Sequence, residues 1–103
     1  VAGAKYANSA TQFASYFLSF ASGTRLELMQ TSAVAEPPTG APGQITGYAH
    51  LAFSVGSIEA VDALTARLRA EGVRVLDGPR WTGDGYYESR VLDCDGNPIE
   101  ITI

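Results

Sequence analysis

Residues 93–101 read DCDGNPIEI, a turn sequence that leads directly into a strand. Asp, Gly and Asn are residues that turns favour, and in the strand that follows Ile99 and Ile101 alternate with Glu100. Because successive side chains of a strand point to opposite faces, Glu100 lies on the face opposite the two isoleucines. The stretch therefore predicts a closing strand whose polar face carries a single carboxylate.

The same placement of a polar residue occurs at two earlier points of the chain. Residues 23–28 (GTRLEL) place Glu27 between two leucines, 73 positions before Glu100. Residues 47–55 (GYAHLAFSV) place His50, the only histidine, opposite an apolar face formed by every second residue. One imidazole and two carboxylates in this arrangement are a candidate metal or acid–base site.

The order of predicted elements suggests two modules, at residues 1–44 and 45–103. The first comprises a hairpin and a linker rich in Pro, Gly and Ala; the second has a strand, a helix and three strands. If the two modules are repeats separated by the 73 positions between Glu27 and Glu100, the counterparts of His50 and of the helix would lie before Val1. The first module is therefore expected to lack its first strand and helix. The predicted strands are residues 13–20, 24–30, 45–55, 73–76, 86–92 and 98–103; the helix begins after Ser57 and ends at Gly72, and residues 77–85 form a loop.

The composition excludes several classes of protein. A net charge of −4 and a pI near 4.7 argue against nucleic acid or an anionic membrane as the main partner. No apolar run approaches the roughly 20 residues that a membrane helix needs, and no signal peptide is evident. The single cysteine, Cys94, excludes an intrachain disulfide and suits a reducing cytosol, so a cytoplasmic location is expected.

These stretches, together with residues 16–20 and 25–29, resemble the vicinal oxygen chelate superfamily of glyoxalase I, bleomycin-resistance proteins and extradiol dioxygenases. The resemblance covers essentially the whole chain and implies an α+β fold of paired βαβββ modules, the first truncated to its hairpin and the second complete. Residues 93–100 resemble the closing turn and strand of the family, with Cys94 where proline is common.

In glyoxalase-like members, a divalent metal is held by four side chains on the concave face of the sheet. The resemblance places three of them at Glu27, His50 and Glu100, while the fourth belongs to the strand that is expected to be absent. Such ligands accept Zn²⁺, Ni²⁺, Co²⁺, Mn²⁺ or Fe²⁺, so the ion is not determined. By resemblance, Glu100 is the base of a metal-dependent lyase or isomerase that stabilises an enediolate of a small oxygenated substrate, with a hemithioacetal, as in lactoylglutathione lyase, as one candidate.

Three alternatives remain open: a non-catalytic protein that binds a drug or metabolite, an extradiol dioxygenase-like enzyme, and an inactive remnant. By resemblance, Glu27 favours the lyase over the dioxygenase, which typically uses two histidines and one carboxylate. In the purely structural interpretation, both glutamates lie on a solvated sheet face and His50 is an ordinary hydrogen-bonding residue.

Further residues are candidates for the substrate pocket and for assembly. Trp81, Tyr86 and Tyr87 are candidate lining residues, with hairpin packing as the alternative. Arg80 and Arg90 are candidates for a substrate carboxylate, although exposed ion pairs are the commoner role. A first hairpin without a helix leaves Phe13, Phe17 and Phe20 in need of cover, which either a longer native chain or a second chain supplies, and we predict a homodimer.

Overall fold

The computed structural model describes residues 1–35 and 47–103. The chain divides into two compact units, Val1–Ala41 and Pro42–Ile103. Each unit has its own sheet, one of three strands and one of four. The predicted α+β class is confirmed.

The first unit is a three-stranded antiparallel sheet. Its strands are β1 (Tyr6–Asn8), β2 (Phe13–Ser19) and β3 (Arg25–Thr31), arranged in the order β1-β2-β3. The hairpin between β2 and β3 is confirmed, and Gly23 adopts a positive φ of 86° in its turn. Strand β1 was not predicted, because three residues are too few to show a hydrophobic period.

The second unit has the order strand, helix, strand, strand, strand. Its sheet has the order β4-β7-β6-β5, in which β4 and β7 are parallel and the other pairs are antiparallel. The elements are β4 (Leu51–Ser54), α1 (Ile58–Ala70), β5 (Val75–Trp81), β6 (Tyr87–Leu92) and β7 (Pro98–Thr102).

Helix α1 covers one face of this sheet. Ser57 caps its start, since the side chain accepts a hydrogen bond from the Ala60 N–H at 3.1 Å, and Gly72 follows its end with a φ of 87°. Both helix limits agree with the sequence prediction. The buried apolar core is Val61, Val91 and Ile101, which join the helix to β6 and β7, and further apolar side chains pack around them: Val55, Leu64, Leu68, Val73, Val75, Tyr87, Ile99 and Ile103.

Two predicted boundaries were wrong. Strand β4 starts at Leu51, not at residue 45; positions 45 and 46 of that prediction lie outside the described residues. Strand β5 continues to Trp81, so the loop predicted from position 77 begins only after this strand. Gly78 and Pro79 indicated a loop, but the strand accommodates them through register shifts between Val75 and Asp77 and between Asp77 and Arg80.

Among the described residues, no helix has the length and apolar character needed to cross a membrane. Helix α1, at 13 residues, is also amphipathic, with Val61 fully buried and Arg67 and Arg69 in its last turn.

Candidate functional site

The second sheet has a polar face on the side opposite α1. Ile101 packs in the helix-covered core, so Glu100, the preceding residue of β7, points to the other side. The register places Arg90 of β6 directly opposite Glu100, and Asp77 of β5 opposite Arg90. These three side chains form one row across the sheet.

The turn before β7 positions Glu100. The Asp93 side chain accepts hydrogen bonds from the Asp95 N–H at 2.9 Å and from the Asn97 N–H at 2.7 Å. Burial alone would raise the pKa of Asp93, but hydrogen bonds, chiefly those from Asn97, outweigh it and lower the pKa. The Asp and Asn of the predicted turn therefore close it through side-chain contacts, and β7 begins directly afterwards at Pro98.

His50 meets Glu100 at the other end of the row. Its Nε2 atom lies 3.1 Å from Glu100 Oε2, with 39% of the His50 side chain and 16% of the Glu100 side chain exposed. The neighbour of Glu100 on β4 is Ala52, and His50 lies two residues before Ala52, so a strand period of two places it on the same face. The predicted placement of His50 on the face of Glu100 agrees with this contact.

Asp77 and two arginines complete the row. The Asp77 carboxylate accepts two bonds from Arg80 Nε, at 2.9 and 3.0 Å, and a longer one of 3.4 Å from Arg90 Nη2. These contacts, foremost the hydrogen bonds from Arg80, lower the pKa of Asp77. The candidate carboxylate-binding arginines are thus brought together on the face that carries Glu100.

Glu88 lies on the same face, opposite Arg80 and Thr102. Burial raises the pKa of the Glu88 carboxyl and the Glu100 carboxylate raises it further, while Arg80 offsets part of the effect. Sequence reasoning missed Glu88 and Asp77. Both residues lie on the same sheet face as Glu100, but this can be recognised only when the pairing of β5, β6 and β7 is known.

Replacing Glu88 by glutamine is expected to stabilise the second unit at pH 7, by up to about 1 kcal/mol because a partly exposed carboxyl is screened by solvent. A carboxyl whose pKa is raised by folding disfavours the fold as the pH rises from its unfolded pKa, about 4.3, through the folded value. The difference between Glu88→Gln and the wild type should therefore disappear below pH 4. Urea unfolding at both pH values checks this, and a variant less stable than the wild type at pH 7 would contradict it.

Glu27 lies on β3 in the first unit, on the face opposite Leu26 and Leu28, as predicted. It pairs in register with Phe17, and its neighbour on that face, Arg25, stacks on the Phe17 ring at 3.9 Å from the ring centre. Its role as a metal ligand stays a prediction.

The three candidate pocket aromatics lie away from the polar face or at its end. Tyr87 packs towards the helix, where its hydroxyl donates a 2.8 Å hydrogen bond to Asp62. Trp81 makes an edge contact with Tyr87, with ring centres 5.4 Å apart, and Tyr86 is exposed after the hairpin turn. The structure joins Trp81 to Tyr87, but neither of them to Glu100.

The family model of the Glyoxalase/Bleomycin resistance protein/Dioxygenase superfamily matches residues 3–101 of the chain. The chain belongs to this superfamily. The match confirms the family resemblance seen in the turn of residues 93–97 and in the strands around His50 and Glu100. No curated protein matches the chain in sequence.

Solved structures of the superfamily share this fold. A glyoxalase family protein from Enterococcus faecalis is 21% identical with a TM-score of 0.74, and the match covers 99% of this chain and 76% of that one. A putative glyoxalase from Bacillus halodurans is 28% identical with a TM-score of 0.67, covering 96% and 73%. The trypanothione-dependent glyoxalase I of Leishmania major is 24% identical with a TM-score of 0.67, covering 96% and 65%.

Members of the superfamily generally use divalent metals. Within residues 1–35 and 47–103, no group of three or more His, Cys, Asp or Glu side chains is arranged to hold a metal ion. His50 and Glu100 nevertheless fit as a pair of ligands. Two donor atoms that each lie about 2.0–2.2 Å from one ion stand about 3 Å apart, and His50 Nε2 and Glu100 Oε2 are 3.1 Å apart.

Proposed function

We propose that this chain is part of a metal-dependent lyase or isomerase that acts on a small oxygenated substrate. The observation that supports this most directly is the 3.1 Å approach of His50 Nε2 to Glu100 Oε2 on the polar face of the second sheet. An imidazole and a carboxylate are a donor pair that suits Zn²⁺, Ni²⁺, Co²⁺, Mn²⁺ or Fe²⁺. Superfamily membership supports a divalent ion without choosing among them.

In this proposal His50 and Glu100 hold the ion, and the role of Glu27 as a ligand stays a prediction from the sequence. Glu27 is a candidate because it lies between two aliphatic residues of β3, as Glu100 does in β7. When bound, the ion supplies positive charge that stabilises negative charge on the substrate oxygens.

Glu100 has a second role, as the base that moves a proton between neighbouring carbons of the substrate. Its side chain is only partly exposed, so a bound substrate would exclude most of the remaining water around it. Arg90 lies opposite Glu100 and Asp77 opposite Arg90, so the base stands in a row of charged groups. A carboxylate is a suitable base here because the ion makes the carbon-bound proton more acidic.

A binding protein without catalytic activity is the second candidate. The finding that favours it is that, among the described residues, no group of three or more His, Cys, Asp or Glu side chains is arranged to hold a metal ion. A protein that sequesters a small molecule needs no complete ligand set. The homodimer and the cytoplasmic location stay predictions.

Metal affinity measured on wild-type protein and single variants tests the proposal. The protein is stripped with a chelator and titrated with Zn²⁺ or Co²⁺ by calorimetry, with the Co²⁺ absorption spectrum as a second readout. His50→Ala and Glu100→Gln are expected to weaken binding by more than about a hundredfold, because even residues that only support metal ligands contribute about 10–100-fold. Glu27→Gln tests the sequence prediction that Glu27 is a ligand, which weaker binding of the ion would support.

Glu88→Gln is the matched control, since it removes a carboxylate from the same sheet face and changes the net charge by the same amount as Glu100→Gln. Its metal affinity should stay within a few-fold of the wild type. The metal site would be refuted if His50→Ala and Glu100→Gln bound the ion as the wild type does, or if the wild type bound none. An unchanged affinity in Glu27→Gln alone would remove only Glu27 from the ligand set.

A further inference from the structure

Arg90 stands beside the proposed metal ligands without an ion pair to either of them. Its register partner on β7 is Glu100, and side chains directly opposite each other in an antiparallel pair have Cβ atoms about 5 Å apart. Among the residues that the structure describes, however, the ion pair of Glu100 is with His50, and that of Arg90 is with Asp77.

The contact between Arg90 and Asp77 is a weak one. Asp77 is held at short distances by Arg80, which leaves Arg90 a single bond of 3.4 Å from Nη2. The Nε atom of Arg90 is buried and has no hydrogen-bond partner in the described part of the chain. An unsatisfied N–H of a charged group is costly, so the guanidinium is held on this face with binding capacity left over.

We propose that Arg90 binds the carboxylate of a substrate whose neighbouring oxygen lies at the His50–Glu100 pair. The substrate class is then a small 2-hydroxy or 2-oxo carboxylate. A guanidinium presents parallel N–H groups that match the two oxygens of a carboxylate. The side chain is 38% exposed, so an incoming anion reaches its outer end. Binding is expected to turn Nε, which is buried in the free protein, towards the second oxygen. The position of the neighbouring oxygen at the metal rests on the proposed function. The contact between Arg90 and the carboxylate does not depend on it.

The charges on this face make carboxylate binding dependent on the metal. This face has one more negative than positive charge, from the carboxylates of Asp77, Glu88 and Glu100 and the guanidinium groups of Arg80 and Arg90. A divalent ion at His50 and Glu100 reverses the sign of that balance. An anion is therefore expected to bind more tightly after the metal than before it.

Glycolate, the smallest 2-hydroxy carboxylate, is the probe, and ethane-1,2-diol is its uncharged counterpart. Each is titrated into Zn²⁺-loaded protein by calorimetry, and the ¹⁵N–¹H signal of Arg90 Nε is followed by NMR. Arg90→Gln is expected to weaken glycolate binding by about 10–100-fold, the range for a lost hydrogen bond to a charged group, and Arg90→Lys by less. Diol binding should not change, and Zn²⁺ affinity should not fall, because the variant removes a positive charge from beside the ion.

Arg67→Gln is the matched control: it removes an arginine from the surface of α1, where the side chain is 68% exposed and pairs only with Glu71 among the described residues. Its glycolate affinity should equal that of the wild type. Inorganic phosphate provides the competing anion, and tighter binding of phosphate than of glycolate at Arg90 would overturn the carboxylate assignment.

The outcomes separate this inference from the proposed function. If Zn²⁺ binds at His50 and Glu100 but glycolate binds Arg90→Gln as tightly as the wild type, the role of Arg90 is refuted and the metal site stands. If the wild type binds no Zn²⁺, acetate is titrated into metal-free protein. A saturable shift of the Arg90 Nε signal then supports the carboxylate contact, and an unchanged signal refutes it. Should Arg90→Gln fail to fold, Arg90→Lys and the wild-type NMR titration decide the question.

Discussion

Replacing Gly78 by alanine is expected to destabilise the second unit by about 3 kcal/mol or more, the sum of a left-handed backbone and a steric clash. Gly78 has a φ of 84°, and a Cβ atom there would lie 2.5 Å from the Glu88 carbonyl oxygen and 2.9 Å from Ser89 Cα. Both are backbone atoms of the neighbouring strand, so neither can move aside by a rotamer change. Urea unfolding followed by the fluorescence of Trp81, the only tryptophan, measures the loss.

Gly72→Ala separates the two causes. Gly72 has nearly the same φ, 87°, but a Cβ atom there would meet nothing within 4 Å. Its substitution should cost only the backbone contribution, about 1–2 kcal/mol. Equal losses in the two variants would show that β5 and β6 separate without cost at Gly78, and would contradict the steric argument. Because Asp77 is the residue before Gly78, the clash is also expected to disturb the contacts of Asp77 with Arg80 and Arg90.

Replacing Thr65 by valine is expected to destabilise the second unit by about 1–3 kcal/mol, the cost of a buried polar group left without a partner. Thr65 and Ser89 are both fully buried, and their hydroxyl oxygens are 2.6 Å apart. Thr65 donates its own hydrogen to the Val61 carbonyl at 2.7 Å, so Ser89 is the donor between the two hydroxyls. Valine keeps the shape of threonine but leaves the Ser89 hydroxyl buried and unpaired.

Substitution of the partner, Ser89, and the double variant make this prediction specific. Ser89→Ala should cost less than Thr65→Val, because Thr65 keeps its bond to Val61. The double variant should be more stable than Thr65→Val alone, since replacing both polar partners by apolar groups of similar shape is nearly neutral. Additive losses, measured by urea unfolding of the four proteins, would show that the hydroxyls act independently.

Much of the second unit was predictable from local patterns. The helix limits depended on the Ser57 cap and on Gly72, both of which act through contacts within one turn of the chain. The faces of Glu27 and Glu100 followed from the two-residue period of a strand. Strand β5 was not predictable in the same way, because Gly78 and Pro79 usually mark a loop and only pairing with β6 holds them in a sheet.

Some residues of the candidate site could likewise be identified from the sequence, and others only from the tertiary structure. His50 and Glu100 were identified because each stands alone among apolar neighbours, a property that the sequence itself displays. Asp77, Glu88 and Arg90 joined them only through strand register, and the Thr65–Ser89 pair only through the packing of α1 on the sheet. Glu88 and Arg90 have no periodic signal of their own, since alternate positions of a strand carry polar residues wherever one face is solvated.

The sequence by itself determined the superfamily, the strand–helix–three-strand order of residues 51–102, and which face of its strand each of Glu27 and Glu100 occupies. These properties depend on hydrophobic period, capping and turn residues, which act over a few positions. The tertiary structure decided that His50 reaches Glu100, that Arg90 lies opposite Glu100, and that Arg80 rather than Arg90 holds Asp77 closely. The first two of these join residues from different strands or their flanks, 50 positions apart for His50 and Glu100, and only strand pairing brings such residues together. The third lies within β5, where the register shifts set the positions of Asp77 and Arg80.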